Sequence, residues 1–457
     1  MAMLSLVGQS SRDDDNRQAN SGRLVNCYRE PIAAGGKSTH SIKSVLGMSN
    51  FVDIGELFIR DMAYIGGVFY VMAGGDLYSV TQGGTATRLG ATASAAGAMI
   101  FGDSTNVCTV SGGRYFLWNG SAMSEPTLSA FTSVGSGVFL GNYVVLTENG
   151  GRRFMWSDLA DASSMPALNF ATAEGTDSDI LRAASFGDRL WLFKEDAIEI
   201  WYATGQAGAN AFARLPGAGA NFGLKARGLL VEGKAGIFFV GDDGRAYLTG
   251  GSAPQPIASP AVETAIAQST PTDCFSYFDE GHEFFVIRFS DRPAWCFDIA
   301  TGEWHERANG EENSEWSAEV SARAWDSWFV GDTLGKVYKL ERTNTDADSA
   351  LRRVVVSNTL YNGGDPFTLS EVEISGRVGV VSQSDYPAVE PTVSVRFSRD
   401  GGLTWGNEHR RGMGFQGEYG RRVRLHGLGQ FRQATMQLSI AEPADLTLNN
   451  LVRAEIA

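Results

Sequence analysis

Cysteine, histidine and long apolar runs are all scarce in this 457-residue chain, and each scarcity closes a class of explanation. The four cysteines, Cys27, Cys108, Cys274 and Cys296, are widely spaced and fit no zinc-ligand pattern. Cys274 and Cys296 could meet across neighbouring strands, but buried free thiols are the simpler reading, and they point to folding in a reducing compartment. The five histidines, His40, His282, His305, His409 and His426, have no His or Cys partner at ligand spacing, so no metal or cofactor is expected. No stretch approaches the roughly 20 apolar residues of a membrane span. The start, "MAMLSLVGQSSRDDD", has neither the basic opening nor the apolar core of a signal peptide. Basic residues trail acidic ones, 38 to 52, for a net charge of −14. That balance argues against non-specific affinity for nucleic-acid phosphates, yet it allows a duplex to slide through a channel that repels it.

What the chain has is glycine: 55 residues, about 12% against a usual value of about 7%. With 11% aromatics and no Gly-x-y period, this composition predicts many short strands joined by tight turns, an all-β protein. Seven stretches repeat one design of turn, apolar strand, turn and aromatic strand. They begin at Gly66 ("GGVFYVMAGGDLYSV"), Ser104, Gly141, Gly187, Gly233, Gly281 and Trp325, 37 to 48 residues apart. A hairpin cannot bury both its faces, and units recurring at this period become the blades of a β-propeller. The expected organisation is an extended N-terminal arm or assembly segment over 1–54, a six- or seven-bladed propeller over 55–345, and a separate sandwich-like β-domain over 346–457. A stacked solenoid or tandem sandwiches are the competing arrangements.

Chemistry is thin. "SRDGGLTWG", Ser398 to Gly406, resembles the Asp-box turn of sialidase propellers, but it occurs once and outside the propeller, where a hairpin turn explains it. Paired catalytic carboxylates cannot be located, so no catalytic residue is expected. "RDDDN", Arg12 to Asn16, lacks the glycine and distal Glu of a calcium loop. P-loop, dinucleotide and nucleophile-elbow patterns are absent. One charged feature runs against the acidic whole: between His409 and Arg432 lie Arg410, Arg411, Arg421, Arg422, Arg424 and Arg432 with a single acid, Glu418. Arginine forks favour interfaces; a subunit surface, a DNA-facing rim and a solvated strand face are the alternatives.

From Phe154 to Gly205 the sequence resembles the packaged-DNA stabilisation proteins, the tail hub or nozzle proteins of short-tailed bacteriophages. The matching elements are Trp156-Ser157-Asp158-Leu159, Ala167-Leu168-Asn169-Phe170-Ala171, Leu190-Trp191-Leu192-Phe193 and Ile198-Glu199-Ile200-Trp201-Tyr202. The opening "GRLVNCYREPIAAGGKS" and the tail around the Asp-box are similar to the same family. The resemblance implies a virion tail protein without catalysis or cofactor, in a homo-hexameric ring below the portal and its adaptor, closing the DNA channel and retaining packaged DNA. It further implies folding in the host cytoplasm and possible docking of a tail needle, tailspikes or fibres. A receptor- or glycan-binding propeller and a sialidase-like glycosidase are the rival functions.

Overall fold

The computed structural model describes residues 2–5, 11, 22–32, 39–251, 253–310, 314–347, 349–380, 390–442, 444, 446–449 and 451–456. The acidic run Arg12 to Asn16 lies outside them. The fold is all-β, with the short helix Pro260–Gln268 as the one α-helix among the described residues. Ser259 caps that helix and Pro260 opens it, while Val262, Ala265 and Ile266 bury its inner face.

The repeat sets the architecture. Each of the seven hairpins supplies the second and third strands of a four-stranded antiparallel blade, as Val68–Ala73 and Asp76–Val80 do in blade 1. Six blades take their four strands consecutively, over 59–91, 99–124, 134–172, 180–220, 230–256 and 271–307. Their first strands lie side by side around an axis, and the first strand of blade 7, Val320–Ala324, lies against the first strand of blade 1 to close the circle. Blade 7 has three strands of its own, and Gly47–Asp53 supplies its outer one in the register Met48↔Leu340. The chain's beginning therefore locks the ring shut.

Local chemistry explains the blades. The two-residue turn Gly66–Gly67 has φ of 57° and 84°, the left-handed pair that matches strand twist and that glycine adopts without a Cβ penalty. At the same place in blade 7, Trp325 and Asp326 take φ of 45° and 61°. That strain is offset by packing: the Trp325 ring meets Phe69 at 5.5 Å, Tyr64 at 5.6 Å and Phe329 at 5.9 Å. Between blades, wholly buried rings such as Trp156, Phe154, Trp191 and Phe193 form the core.

The C-terminal domain is a sandwich. One sheet runs in the order Ala2–Ser5, Leu451–Ile456, Phe367–Ile374, Val423–Phe431. The other contains Arg353–Val356, Gln433–Ile440, Thr392–Ser398 and His409–Gly412. Leu369, Val372, Leu425, Val395 and Leu438 meet between them. This second sheet is continuous with blade 6 through one inserted strand, Arg23–Val25, which pairs in parallel with Glu303–Arg307 and antiparallel with Arg353–Val356. Cys27–Pro31 then starts a three-stranded sheet with His40–Ser44 and Thr447–Asn449. All four cysteines are buried and free.

Candidate assembly interface

Two surfaces bear on assembly: the seam that fixes the sandwich to the propeller, and the arginine-bearing edge of the sandwich. The seam is polar and buried. Glu306 lies on the outer strand of blade 6; its carboxylate accepts from Ser11 Oγ at 2.9 Å and from both sides of the Arg23 fork at 2.8 and 2.5 Å. Asn26 sits at φ 56°, a conformation asparagine tolerates. Its side chain donates to the carbonyls of Ala308 (2.9 Å) and Arg352 (2.7 Å) and accepts from the Ala308 amide (3.0 Å). One buried side chain thus satisfies backbone groups from both domains.

Next along the same segment, Tyr28, Arg29 and Glu30 face blade 6. The His282 imidazole is 4% exposed. It is clamped between Asp298 Oδ2 at 2.8 Å and Glu30 Oε2 at 2.9 Å. The Asp298 hydrogen bond, with Glu30 adding to it against the cost of burial, holds the imidazole above its usual value. Arg29 bonds Glu303 at 2.5 Å; burial pushes that carboxyl up to about 7 although Arg29 opposes it. His305, edge-on to Phe284 nearby, is driven down to about 3 by burial.

The arginines expected to form a surface lie on two neighbouring sheet edges. Arg410 and Arg411 are on the edge strand His409–Gly412; Arg424 is on the edge strand Val423–Phe431 of the opposite sheet, with Arg422 just before it. Arg411 joins the two edges, its Nε donating to the Arg424 carbonyl at 3.0 Å. Arg410 pairs with Glu408 (2.8 Å), Arg421 with Glu390 (3.3 Å), Arg422 with Glu373 (2.6 Å), and Arg424 with Glu373 and Glu371 (3.1 and 3.5 Å). Arg432 stands apart, eight residues beyond Arg424 and so about 25 Å along the strand, where it donates to the Gly364 carbonyl at 2.9 Å. Five of the six arginines therefore share one side of the sandwich, and four of those carry acid partners drawn from outside the stretch that made them look unopposed. Exposed Phe415 and Tyr419 lie in the loop between the two arginine-bearing strands. Charged edges of this kind block strand addition while leaving forks available to a partner.

The Asp-box is a hairpin turn. Asp400 accepts from Ser398 Oγ (2.6 Å), the Thr404 amide (2.8 Å) and Thr404 Oγ1 (2.5 Å), which hold its carboxyl down to about 2. Gly401 and Gly402 take φ of 76° and 97°. Trp405 packs against Val25, Ala308, Val354 and Val356, the apolar part of the seam. Among the described residues, no three His, Cys, Asp or Glu side chains are grouped to hold a metal ion, and no helix is long and apolar enough to cross a membrane.

Comparison with known proteins now decides the family. Residues 30–345 match the family described as "Bacteriophage P22 Gp10, beta-propeller", and residues 352–455 match "Bacteriophage P22 Gp10, beta-sandwich". The chain belongs to the P22 Gp10 family. It is accordingly a bacteriophage tail structural protein of the tail-hub, packaged-DNA stabilisation type, and the two family regions coincide with the propeller and the sandwich. No curated protein matches it significantly. Solved structures similar to it include the computationally designed Ika8 protein (TM-score 0.41, 16% identity, covering 64% of this chain and 99% of that one). A chain of the mitotic checkpoint complex is also similar (0.44, 10%, 68% and 96%), as is PorZ of the type-IX secretion system of Porphyromonas gingivalis (0.42, 14%, 72% and 44%).

Proposed function

We propose that this P22 Gp10 family protein assembles as a homo-hexameric ring beneath the portal and its adaptor, extends and closes the DNA channel there, and keeps packaged DNA in the head. The carrying observation is that both family regions, propeller and sandwich, are present in order along one chain. The protein acts structurally and not as an enzyme. It folds in the host cytoplasm, where four buried thiols stay reduced, and it docks on preformed connector rings. Arg410, Arg411, Arg421, Arg422 and Arg424 supply subunit contacts at the shared sandwich edge, exchanging their acid partners for those of a neighbour; Arg432 serves a separate contact. With a net charge of −14, the protein repels DNA phosphates, so the duplex passes without sequence-specific binding. A tail needle, tailspikes or fibres complete the assembly.

Native mass of the chain, alone and mixed with portal–adaptor rings, tests this reading. The expected result is a monomer that joins each ring in six copies. Reversing Arg410 and Arg422 to Glu is expected to abolish joining while lowering the melting midpoint only slightly, because both ion pairs are exposed. A chain that stays monomeric beside the rings overturns the proposal.

A further inference from the structure

The propeller axis carries a cavity of about 360 Å³ lined by blades 1 to 5. Ile65, Gly102 and Glu232 are the last residues of their inner strands, so the cavity opens toward the C-terminal ends of those strands. Arg227 lies near their other ends, its Nε donating to the Leu181 carbonyl at 3.0 Å and its Nη2 to Asn149 Oδ1 at 2.8 Å. A Cβ on Gly135 would come within 3.3 Å of the same guanidinium. The cavity is a cup whose lining divides by chemistry. One side is apolar, with Ile65, Phe101 and Phe139; the Phe101 ring sits where a Cβ on Gly137 would come within 2.2 Å of it, so glycine is required for that placement.

The other side holds Asp61, Arg182 and Glu232. Asp61 accepts from the amides of Met62 (2.8 Å) and Ile100 (2.6 Å), and Glu232 from Ser185 N (3.1 Å) and Oγ (3.3 Å), so each carboxylate is fixed and keeps spare lone pairs. Arg182 donates from Nη1 to the Arg227 carbonyl at 3.1 Å. Its Nε is buried and has no partner among the described residues. A buried donor left unpaired is costly and calls for a missing acceptor.

We propose that this cup is a carbohydrate site that seats one neutral hexose ring, its C–H face on Phe101 and Phe139 and its hydroxyls on Arg182, Asp61 and Glu232. The charge pattern selects the ligand class. Two carboxylates against one guanidinium disfavour a phosphate or carboxylate, and the unpaired Arg182 Nε needs an acceptor, which an ammonium group does not carry. A neutral polyol offers donors to the acids, an acceptor to Arg182, and an apolar face to the rings. The volume falls within the roughly 300–1,000 Å³ of small-molecule sites.

Saturation-transfer NMR on the full chain with glucose, galactose, mannose and N-acetylglucosamine at about 10 mM tests the site. At least one sugar is expected to give a signal with a millimolar Kd. Both Arg182→Met and Glu232→Gln are expected to weaken it at least about tenfold. Should Arg182→Met fail to fold, Glu232→Gln, on a residue exposed to the cup, carries the same test. No signal from any of the four sugars overturns the proposal. So does a signal that survives Glu232→Gln, or preferential binding of inorganic phosphate or glucuronate. The cup lies within one chain, so binding is read on the monomer and its outcome is separate from that of ring assembly.

Discussion

Blade 3 and the sheet that joins blade 6 to the sandwich have the same pleated geometry but opposite chain order. Blade 3 pairs four consecutive strands between residues 134 and 172, each beside its neighbour in sequence and the first three joined by tight turns. In the joining sheet, Val25 pairs with Glu306 on one side and Val354 on the other, and Arg353 pairs with Ile440. Ala2–Ser5 pairs with Leu451–Ile456 at the far end of the sequence. Loop closure makes such distant pairings slow and costly to form, while local hairpins form early. Blades 1 to 6 can therefore form before the seam, which, like the outer strand of blade 7, needs segments from distant parts of the chain.

Three changes would break or sharpen that contrast, and the largest effect belongs to a blade core. Trp156 has no exposed surface and its Nε1 donates to the Gly208 carbonyl at 3.0 Å. Trp156→Ala is expected to cost about 3–5 kcal/mol. Calorimetry should show a single transition moving down; a propeller transition that separates from an unmoved sandwich transition would mean the seam does not couple them. Next comes Glu306→Ala, which strips the acceptor from Arg23 and Ser11. A loss of about 2–3 kcal/mol is expected from the charged hydrogen bonds, now with the single transition splitting in two. A smaller effect follows from pH. His282 is held above its usual value, so the stability its carboxylate partners contribute is full below about 6.5 and is lost as pH rises through the folded value. Glu303, pushed up to about 7, has the same sign: the folded state keeps its proton longer than the unfolded chain, and stability falls between the ordinary carboxyl range and about 7. Urea midpoints should therefore decline from about pH 5 to pH 8. The pair His282→Gln and Glu303→Gln should flatten that decline, and an unchanged slope would place the titration elsewhere.

The same contrast governs what could be read from the sequence. The second and third strands of every blade were legible because apolar alternation and turn residues lie within one short window, and all seven repeat starts fall at or beside blade turns. Inner and outer strands were not, since several are only three residues long, such as Phe170–Thr172 and Leu230–Glu232. The first 54 residues read as polar and irregular because their partners lie far along the chain. Asn26 is buried only because carbonyls of Ala308 and Arg352 await it, and Gly47–Asp53 is a blade strand only beside Lys336–Glu341. At the sandwich edge the arginines were visible, but their acids Glu371, Glu373 and Glu390 come from earlier strands and loops, and Glu408 sits one residue outside the counted stretch. The cup was invisible, because Asp61, Arg182 and Glu232 meet only when inner strands of three blades converge.

The smallest expected effect tests whether the Asp-box belongs to the local or the long-range half of the molecule. Asp400 is solvent-facing, and its partners Ser398 and Thr404 lie within four residues, so its interactions close no distant loop. Its depressed folded value means that what it contributes is present above the usual carboxyl range and is lost only as pH falls toward about 2. Asp400→Asn keeps an acceptor oxygen in place, and near neutral pH it should leave the melting midpoint and ring joining unchanged. Amide hydrogen exchange should nevertheless quicken at Thr404, whose amide Asp400 holds. Trp405 gives the counterweight: it packs on Val25, Ala308, Val354 and Val356. Trp405→Ala should therefore loosen the seam and lower the midpoint where Asp400→Asn does not. If the two variants destabilise the chain alike, the turn is holding the Trp405 ring in the seam, and the Asp-box belongs with the long-range joint instead of with the hairpins.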